Sequence, residues 1–280
     1  MRIYNTIEQM RSASRAARSE DKRIGFVPTM GALHEGHLSL VKAAKAQSDF
    51  VAVSIFVNPT QFGPNEDFAR YPRSFERDCQ LLEVEGVHAV FAPAVAEMYP
   101  GGEATTVMVH GISEKLCGRS RPGHFHGVAT VVSKLFHIVE PDCAFFGQKD
   151  AAQVAVIRRM VRDLDMRAEI MVCPIVREAD GLALSSRNAY LDAEQRKTAL
   201  VLSRSLREIE QAFGSGERRV AKLIEIGQAL FRQTPAARLE YLEIVDPDTL
   251  DPVPQVAKRS LVAVAAFVGG TRLIDNVLLA

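Results

Sequence analysis

Short apolar runs alternate with helix-period stretches along the first two-thirds of this chain. The runs lie at 24–27, 50–57, 88–91, 143–146 and 168–172, and each reads as a strand. Between them, apolar residues recur three and four positions apart at 36–47, 74–85, 124–139 and 151–164, which predicts helices. The run at 50–57, Phe-Val-Ala-Val-Ser-Ile-Phe-Val, has almost no polar position, as a strand buried on both faces requires. Pro141 closes the helix at 124–139. The alternation predicts α/β architecture, a parallel sheet covered by helices. Beyond about 176 the order changes. Helices at 193–213 and 220–232, separated by Gly-Ser-Gly, precede strand-like runs at 239–245, 260–267 and 272–279. Helices followed by strands predict a second, smaller α+β C-terminal domain. Asp180-Gly181 reads as a turn near the junction, so the expected domains are 1–176 and 177–280. The first 20 residues are polar and helix-like, and no repeat interrupts the pattern.

Composition narrows the function classes. A chain of 280 residues buries a substantial core. Its 34 basic and 34 acidic residues cancel, so no overall charge draws it to nucleic acid or to an anionic membrane. Cys79, Cys117, Cys143 and Cys173 form no C-x-x-C pair, which leaves no zinc or redox motif to read. No apolar run approaches the length of a membrane span, and the polar start lacks the apolar core of a signal peptide. A cytoplasmic protein without disulfides is expected.

The most informative stretch is Gly25-Phe-Val-Pro-Thr-Met-Gly-Ala-Leu-His-Glu-Gly-His37. An apolar strand stops at Pro28, two histidines follow three positions apart, and a helix opens. A helix start carries unpaired N–H groups and the positive end of the dipole, so it suits a polyphosphate. His34 and His37 add imidazole donors there, and Gly36 lets the backbone pass close to a ligand. The pattern resembles the His-x-Gly-His signature of nucleotidyl-transferring α/β enzymes, which direct attack at the α-phosphate of ATP and expel pyrophosphate.

Ligands of an open parallel sheet bind beyond the carboxyl ends of its strands. The strand at 24–27, read as the first, delivers the histidines, and the next delivers Asn58 and Gln61. Their amides suit hydroxyl and carboxylate recognition, or else bond only within their own loop. A later strand delivers Gly147, Gln148, Lys149 and Asp150, with Gln153 one turn on. Lys149 suits phosphate as a point charge, and Asp150 reads as a helix N-cap. The last strand delivers Pro174-Ile175-Val176. At the junction, Ser185, Ser186 and Arg187 form a phosphate clamp or, in the plainer reading, a cap and a solvated cation. The loop 118–126 has the composition of a lid over the site or of a surface connection. His126 reads as structural or exposed, and His88, His110 and His137 as core or edge residues. Asp78 and Glu76 lie in a helix, and neither is singled out as a Mg²⁺ ligand.

Five segments together resemble the pantothenate synthetase family: Phe-Val-Pro-Thr-Met-Gly-Ala-Leu-His-Glu-Gly-His (26–37), Ser-Ile-Phe-Val-Asn-Pro-Thr-Gln-Phe-Gly-Pro-Asn-Glu-Asp (54–67), Arg-Pro-Gly-His-Phe (121–125), Phe-Phe-Gly-Gln-Lys-Asp (145–150) and Asp-Gly-Leu-Ala-Leu-Ser-Ser-Arg-Asn (180–188). The resemblance implies a cytosolic homodimer with a Rossmann-like domain and a smaller C-terminal one. It implies a ligase that joins pantoate to β-alanine and converts ATP, with Mg²⁺, to AMP and pyrophosphate through a pantoyl adenylate.

Carried over by position, the resemblance makes Met30, Gly31, Ala32, Leu33, His34, Glu35, Gly36 and His37 the first ATP-binding segment, with His37 the proton donor. Gln61 and Gln153 would hold pantoate, Gln61 also lying near β-alanine. Gly147, Gln148, Lys149, Asp150 and the main chain at Val176 would hold ATP, and Leu184, Ser185, Ser186 and Arg187 the phosphates. Two departures stand out: Gln148 where the family commonly has Glu, and Ala151-Ala152 where it has an aromatic and Gln. Activity is expected to survive both. Two other readings stay open at this point: an adenylyltransferase with another acceptor, and a non-catalytic nucleotide-binding protein.

Overall fold

The computed structural model describes residues 1–64, 66–256 and 259–279. In chain order its elements are β1 (Arg2–Tyr4), α1 (Ile7–Ser19), β2 (Ile24–Thr29), α2 (Glu35–Gln47), β3 (Phe50–Ile55), α3 (Phe75–Val84), β4 (Ala89–Phe91), α4 (Val95–Met98), α5 (Cys117–Ser120), α6 (His124–Val139), β5 (Cys143–Gly147), α7 (Ala151–Asp163), β6 (Glu169–Cys173), α8 (Ala193–Gly214), α9 (Val220–Arg232), β7 (Ala237–Val245), β8 (Ser260–Val268) and β9 (Thr271–Leu279).

The first six strands make one parallel sheet in the order β1-β4-β3-β2-β5-β6. Side chains alternate between its faces. Phe26, Ala52, Phe91, Ala144 and Phe146 pack on one face against α1, α6 and α7. Val27, Val51, Val53, Val90, Cys143 and Phe145 pack on the other against α2 and α3. Double coverage explains why these runs are apolar at consecutive positions.

Two expectations are corrected here. The strand ahead of the histidines is the second, not the first, because Arg2–Tyr4 pairs with β4 at the sheet edge. Three residues of mixed polarity gave no readable period. That strand also runs through Pro28 to Thr29 instead of stopping at the proline. Pairing with β5 ends at Phe26↔Ala144, so the N–H that Pro28 lacks costs no bond on that side. The same parting of β2 from β5 opens a crevice where the strand order reverses direction, the usual ligand position in such sheets.

The last three strands form an antiparallel sheet, β7-β8-β9. One face, with Tyr241, Val245, Leu261, Ala263 and Ala265, joins the core built by α6 and α7. The other, with Val262, Val264, Ala266 and Val268, packs on α8 and α9. The small sheet is therefore a middle layer, and β8 is apolar at nearly every position for the same reason as β3. Among the described residues no helix is long and apolar enough to cross a membrane.

Candidate active site

β2 ends on a turn that a buried acid holds. The Asp78 carboxylate accepts the N–H of Ala32 at 2.8 Å and of Leu33 at 2.9 Å, and Ser74 Oγ donates to it at 3.1 Å. Ala32 has φ 51°, a left-handed conformation that a non-glycine residue adopts only when its surroundings enforce it. Asp78 is 1% exposed, stands outside the crevice lining and spends its carboxylate on these three donors, so it shapes the loop.

The two histidines then cap α2 reciprocally. His34 is the N-cap, and its Nδ1 accepts the Gly36 N–H at 3.1 Å. His37 Nδ1 accepts the His34 N–H at 3.4 Å. This is the logic of a capping box built from imidazoles. Both rings are thereby fixed in the tautomer that carries its proton on Nε2, and both line the crevice with centroids 4.1 Å apart. Gly36 is required for a reason other than ligand approach: a Cβ there would meet the His34 ring at 2.8 Å. His37 keeps a little solvent-facing surface. Burial of its ring, assisted by His34 and Lys149, pushes its pKa down to about 3. His34 is lowered too, by burial and then by Lys149. Near neutrality both are neutral donors, and His37 is no reservoir of a loosely held proton.

After β3, Asn58 opens a 3-10 turn, Pro59–Gln61, which α6 approaches closely at Gly127. Asn58 Nδ2 donates to Gln61 Oε1 and to the Gly127 carbonyl, each at 3.2 Å. Its Oδ1 accepts from Thr60 N–H, Thr60 Oγ1 and Tyr99 OH. Every polar atom of Asn58 is engaged within the protein; Asn58 lines the crevice beside Gln61 and holds that side chain in place. Among the described residues Gln61 Nε2 has only the Met30 thioether, a weak acceptor at 2.8 Å, and stays ready for a better one.

The remaining walls come from three places. Gly147, Lys149, Asp150 and Gln153 line the crevice from the end of β5 and the start of α7. Asn276 on β9 holds that turn, donating from Nδ2 to the carbonyls of Gln148 and Lys149 at 2.9 Å each. Pro174, Ile175 and Val176 line it after β6, with the Val176 carbonyl accepting from Leu184 N–H. Leu184, Ser185, Ser186 and Arg187 close the side. Val128, Val131, Val132 and Leu135 of α6, with Phe56 and Phe146, supply an apolar floor. The crevice encloses about 230 Å³.

Not every expected residue reaches it. Gly31, Ala32 and Leu33 stand behind the wall, two of their N–H groups spent on Asp78. Glu35 points to solvent on the first turn of α2, with Lys42 at 3.9 Å. Gln148 turns away and donates to Asn276 Oδ1 at 2.9 Å. Asp150 occupies the N-cap position of α7 but makes no capping bond; its nearest cation is Lys149 at 3.9 Å. Of the outlying histidines, His88 stacks on Phe50 and accepts the Val51 N–H, while His110 and His137 are exposed, not core. His126 is partly buried, its Nε2 enclosed without a partner.

Sequence reasoning missed four polar groups beside the crevice. Arg121 lines it and is held by Glu66, Nε to Oε1 at 2.6 Å and Nη2 to Oε2 at 2.5 Å. His124 donates from Nδ1 to the Gln61 carbonyl at 2.8 Å, which leaves Nε2 to accept from Arg121 Nη1 at 3.0 Å. Its tautomer is the reverse of that of His34 and His37. Burial and then Arg121 push its pKa down to about 4. Arg187 is held by Asp67, Nε to Oδ2 at 3.0 Å and Nη2 to Oδ1 at 2.9 Å. Burial pushes both carboxyl groups up, and their arginines more than reverse it, leaving each below its ordinary value. A usable signal was the acidic pair Glu66-Asp67 directly after ten uncharged residues, 56–65. The segment 118–126, read as a lid or a connection, is pinned at Arg121 and His124 and forms part of the wall.

Comparison with known proteins points one way. The family profile described as pantoate-beta-alanine ligase matches residues 2–278. A Koribacter versatilis protein named pantothenate synthetase is 61% identical over 279 residues, covering 100% of this chain and 96% of that protein. The Thermotoga neapolitana protein of the same name is 58% identical, with 100% of both chains covered. A crystal structure of the Thermus thermophilus enzyme superposes with a TM-score of 0.95 at 49% identity over 99% of each chain. That of pantoate-beta-alanine ligase from Francisella tularensis, complexed with beta-gamma ATP and beta-alanine, superposes with a TM-score of 0.82 at 36% identity, over 99% of this chain and 97% of that one.

Proposed function

The chain belongs to the pantoate–β-alanine ligase family, and on that premise we propose how its crevice divides the work. The protein is a ligase that joins pantoate to β-alanine at the expense of ATP. The reaction runs in two halves. The pantoate carboxylate attacks the α-phosphorus of ATP and pyrophosphate leaves. The amine of β-alanine then attacks the acyl carbon of the pantoyl adenylate and AMP leaves.

The residues act by positioning and by stabilising charge. The observation that carries this reading is the reciprocal cap of His34 and His37 at the start of α2. It commits both Nδ1 atoms to the backbone and leaves two Nε2–H donors for phosphate oxygens, beside Lys149. Neutral imidazoles donate without attracting a competing carboxylate. Lys149 and Arg187 supply charge where it builds on the leaving pyrophosphate. Met30, Gly147, Val176, Leu184, Ser185 and Ser186 complete the nucleotide wall, and Gln61 and Gln153 hold the pantoate above the apolar floor. Gly31, Ala32 and Leu33 act through the shape of their turn.

Mg²⁺ belongs to the same proposal, brought in on the triphosphate and lowering its negative charge. The described residues contain no cluster of three or more His, Cys, Asp or Glu side chains that could hold a metal alone. Asp150, the acidic side chain among those lining the crevice, would hold it as a single protein carboxylate. A cytoplasmic homodimer with its domain boundary at 176/177 completes the reading. Light scattering on the purified protein checks the dimer.

Isotope transfer tests the chemistry. With ¹⁸O in the pantoate carboxylate, attack at the α-phosphorus delivers one label to AMP. Label found in orthophosphate would mean attack at the γ-phosphorus and would refute the adenylate route.

A further inference from the structure

Arg121 and Arg187 come from different elements, the turn before α6 and the segment after the 177–183 bridge. Both line the crevice. Their carboxylate partners, Glu66 and Asp67, are consecutive residues of one loop and stand outside that lining. The two pairs share a geometry. Each acid takes the Nε–Nη2 edge of its arginine, side-on and bidentate. A guanidinium has five N–H groups, and this grip uses two, which leaves the Nη1 pair outside the grip on two arginines that line the crevice. Among the described residues Arg187 Nη1 has no hydrogen-bond partner, while Arg121 Nη1 meets the acceptor nitrogen of His124. An acid that masked its arginine against substrate would itself line the crevice, and neither Glu66 nor Asp67 does.

We propose that Glu66 and Asp67 are a pair of positioning residues that hold Arg121 and Arg187 side-on, so that the N–H groups left uncommitted, both on Nη1 of Arg187 and one on Nη1 of Arg121, meet the anionic substrates. The proposal rests on the ligase reading above. It makes Arg121 a second anion-facing arginine beside Arg187. An arginine side chain has several rotatable bonds, and fixing it before the ligand arrives removes an ordering cost from binding. The loop also ties the strand-end wall to the wall after β6. Tyr71, a few residues on, places its ring 5.9 Å below the Arg187 guanidinium and its hydroxyl 3.3 Å from Ser186 Oγ.

Calorimetric titration of Mg²⁺–ATP and of pantoate into wild type, D67N, D67E, R187Q and the D67N/R187Q double variant is the test, with thermal midpoints in parallel. An amide cannot accept from both guanidinium nitrogens, so D67N should weaken ATP binding about tenfold and leave pantoate within about twofold. D67E should recover most of the loss. The double variant should bind ATP no worse than R187Q alone, since Asp67 acts through that side chain. ATP bound by D67N as well as by wild type, or tighter, would overturn the proposal, as would losses that multiply in the double variant. If D67N does not fold, E66Q carries the test through Arg121: weakened binding of ATP or pantoate supports the proposal, and wild-type binding of both overturns it. Wild type that binds no ATP would instead sink the ligase reading itself, and this proposal with it.

Discussion

The two sides of the crevice are built by opposite means. On the β2 side the proposed functional groups are histidines, and backbone N–H groups fix them: two caps and a turn tied to Asp78. On the loop side the groups are arginines, and carboxylates fix them through charge-assisted bonds. The first arrangement yields neutral donors whose tautomer is set locally, within four residues of sequence. The second yields permanent cations whose orientation depends on residues 55 and 120 positions away. Short-range geometry suits groups that must touch the reacting phosphate closely. Longer-range pairing suits charges that must wait, already ordered, for a highly charged ligand.

Removing the ring of His37 should break the first side most severely. His37→Ala loses a donor to the transferring phosphate, which costs on the order of 3 kcal/mol of barrier, about a hundredfold or more in kcat. Helix α2 loses only half of its cap, about 1 kcal/mol, so the variant stays folded. Steady-state kinetics with circular dichroism checks both. Full activity in a normally stable variant would remove His37 from the reaction.

Asp78→Asn tests the scaffold of the same side. A buried carboxylate that accepts two backbone N–H groups is replaced by a group that presents a donor to one of them. The expected cost is about 2–3 kcal/mol of stability, with weakened ATP binding, read by denaturant midpoint and titration. Wild-type stability would show that the turn holds without its anchor.

A separate effect, on stability and not on turnover, comes from pH, and it joins the sides. His37 and His124 have folded pKa values of about 3 and about 4, below the ordinary value of 6.5. Between those limits the unfolded chain binds protons that the folded one does not, so stability falls as pH drops below 6.5. Each histidine contributes a slope of up to about 1.4 kcal/mol per pH unit. Denaturant midpoints at pH 7 and about pH 5 should differ, and His124→Gln should shrink the difference. An unchanged difference in that variant would contradict the assigned burial.

Glu35→Ala should do least. The side chain is exposed and lies off the crevice, so activity should hold within about twofold and stability within about 0.5 kcal/mol. A large loss of activity would place Glu35 back among the nucleotide contacts.

Much of this was legible in the sequence where the signal is local. The doubly covered strands announced themselves through consecutive apolar residues, and α6 matched its expected bounds because Gly123 and Pro141 delimit it. Met30, His34 and His37 after β2, and Gly147, Lys149 and Gln153 after β5, line the crevice at the strand ends to which the fold class points. What escaped depends on tertiary partners. Asn58 lines the crevice, but the bonds its amide makes to α6 and Tyr99 were not legible from its own loop. Gln148 looked like a ligand contact, but β9 draws it away. Asp275-Asn276 interrupts the apolar pattern of β9, and that irregularity marked the residues that hold Arg177 and the Gly147–Asp150 turn. A buried polar pair in a strand is costly unless it is bonded, so such interruptions are worth reading as pointers to a site.

The central claim is that this crevice forms an acyl adenylate between the histidine side and the arginine side. ATP–pyrophosphate isotope exchange, run with Mg²⁺ and pantoate but without β-alanine, tests it most directly. The account predicts exchange that requires pantoate and nearly vanishes in His37→Ala. Folded protein that binds ATP yet shows no pantoate-dependent exchange would contradict it.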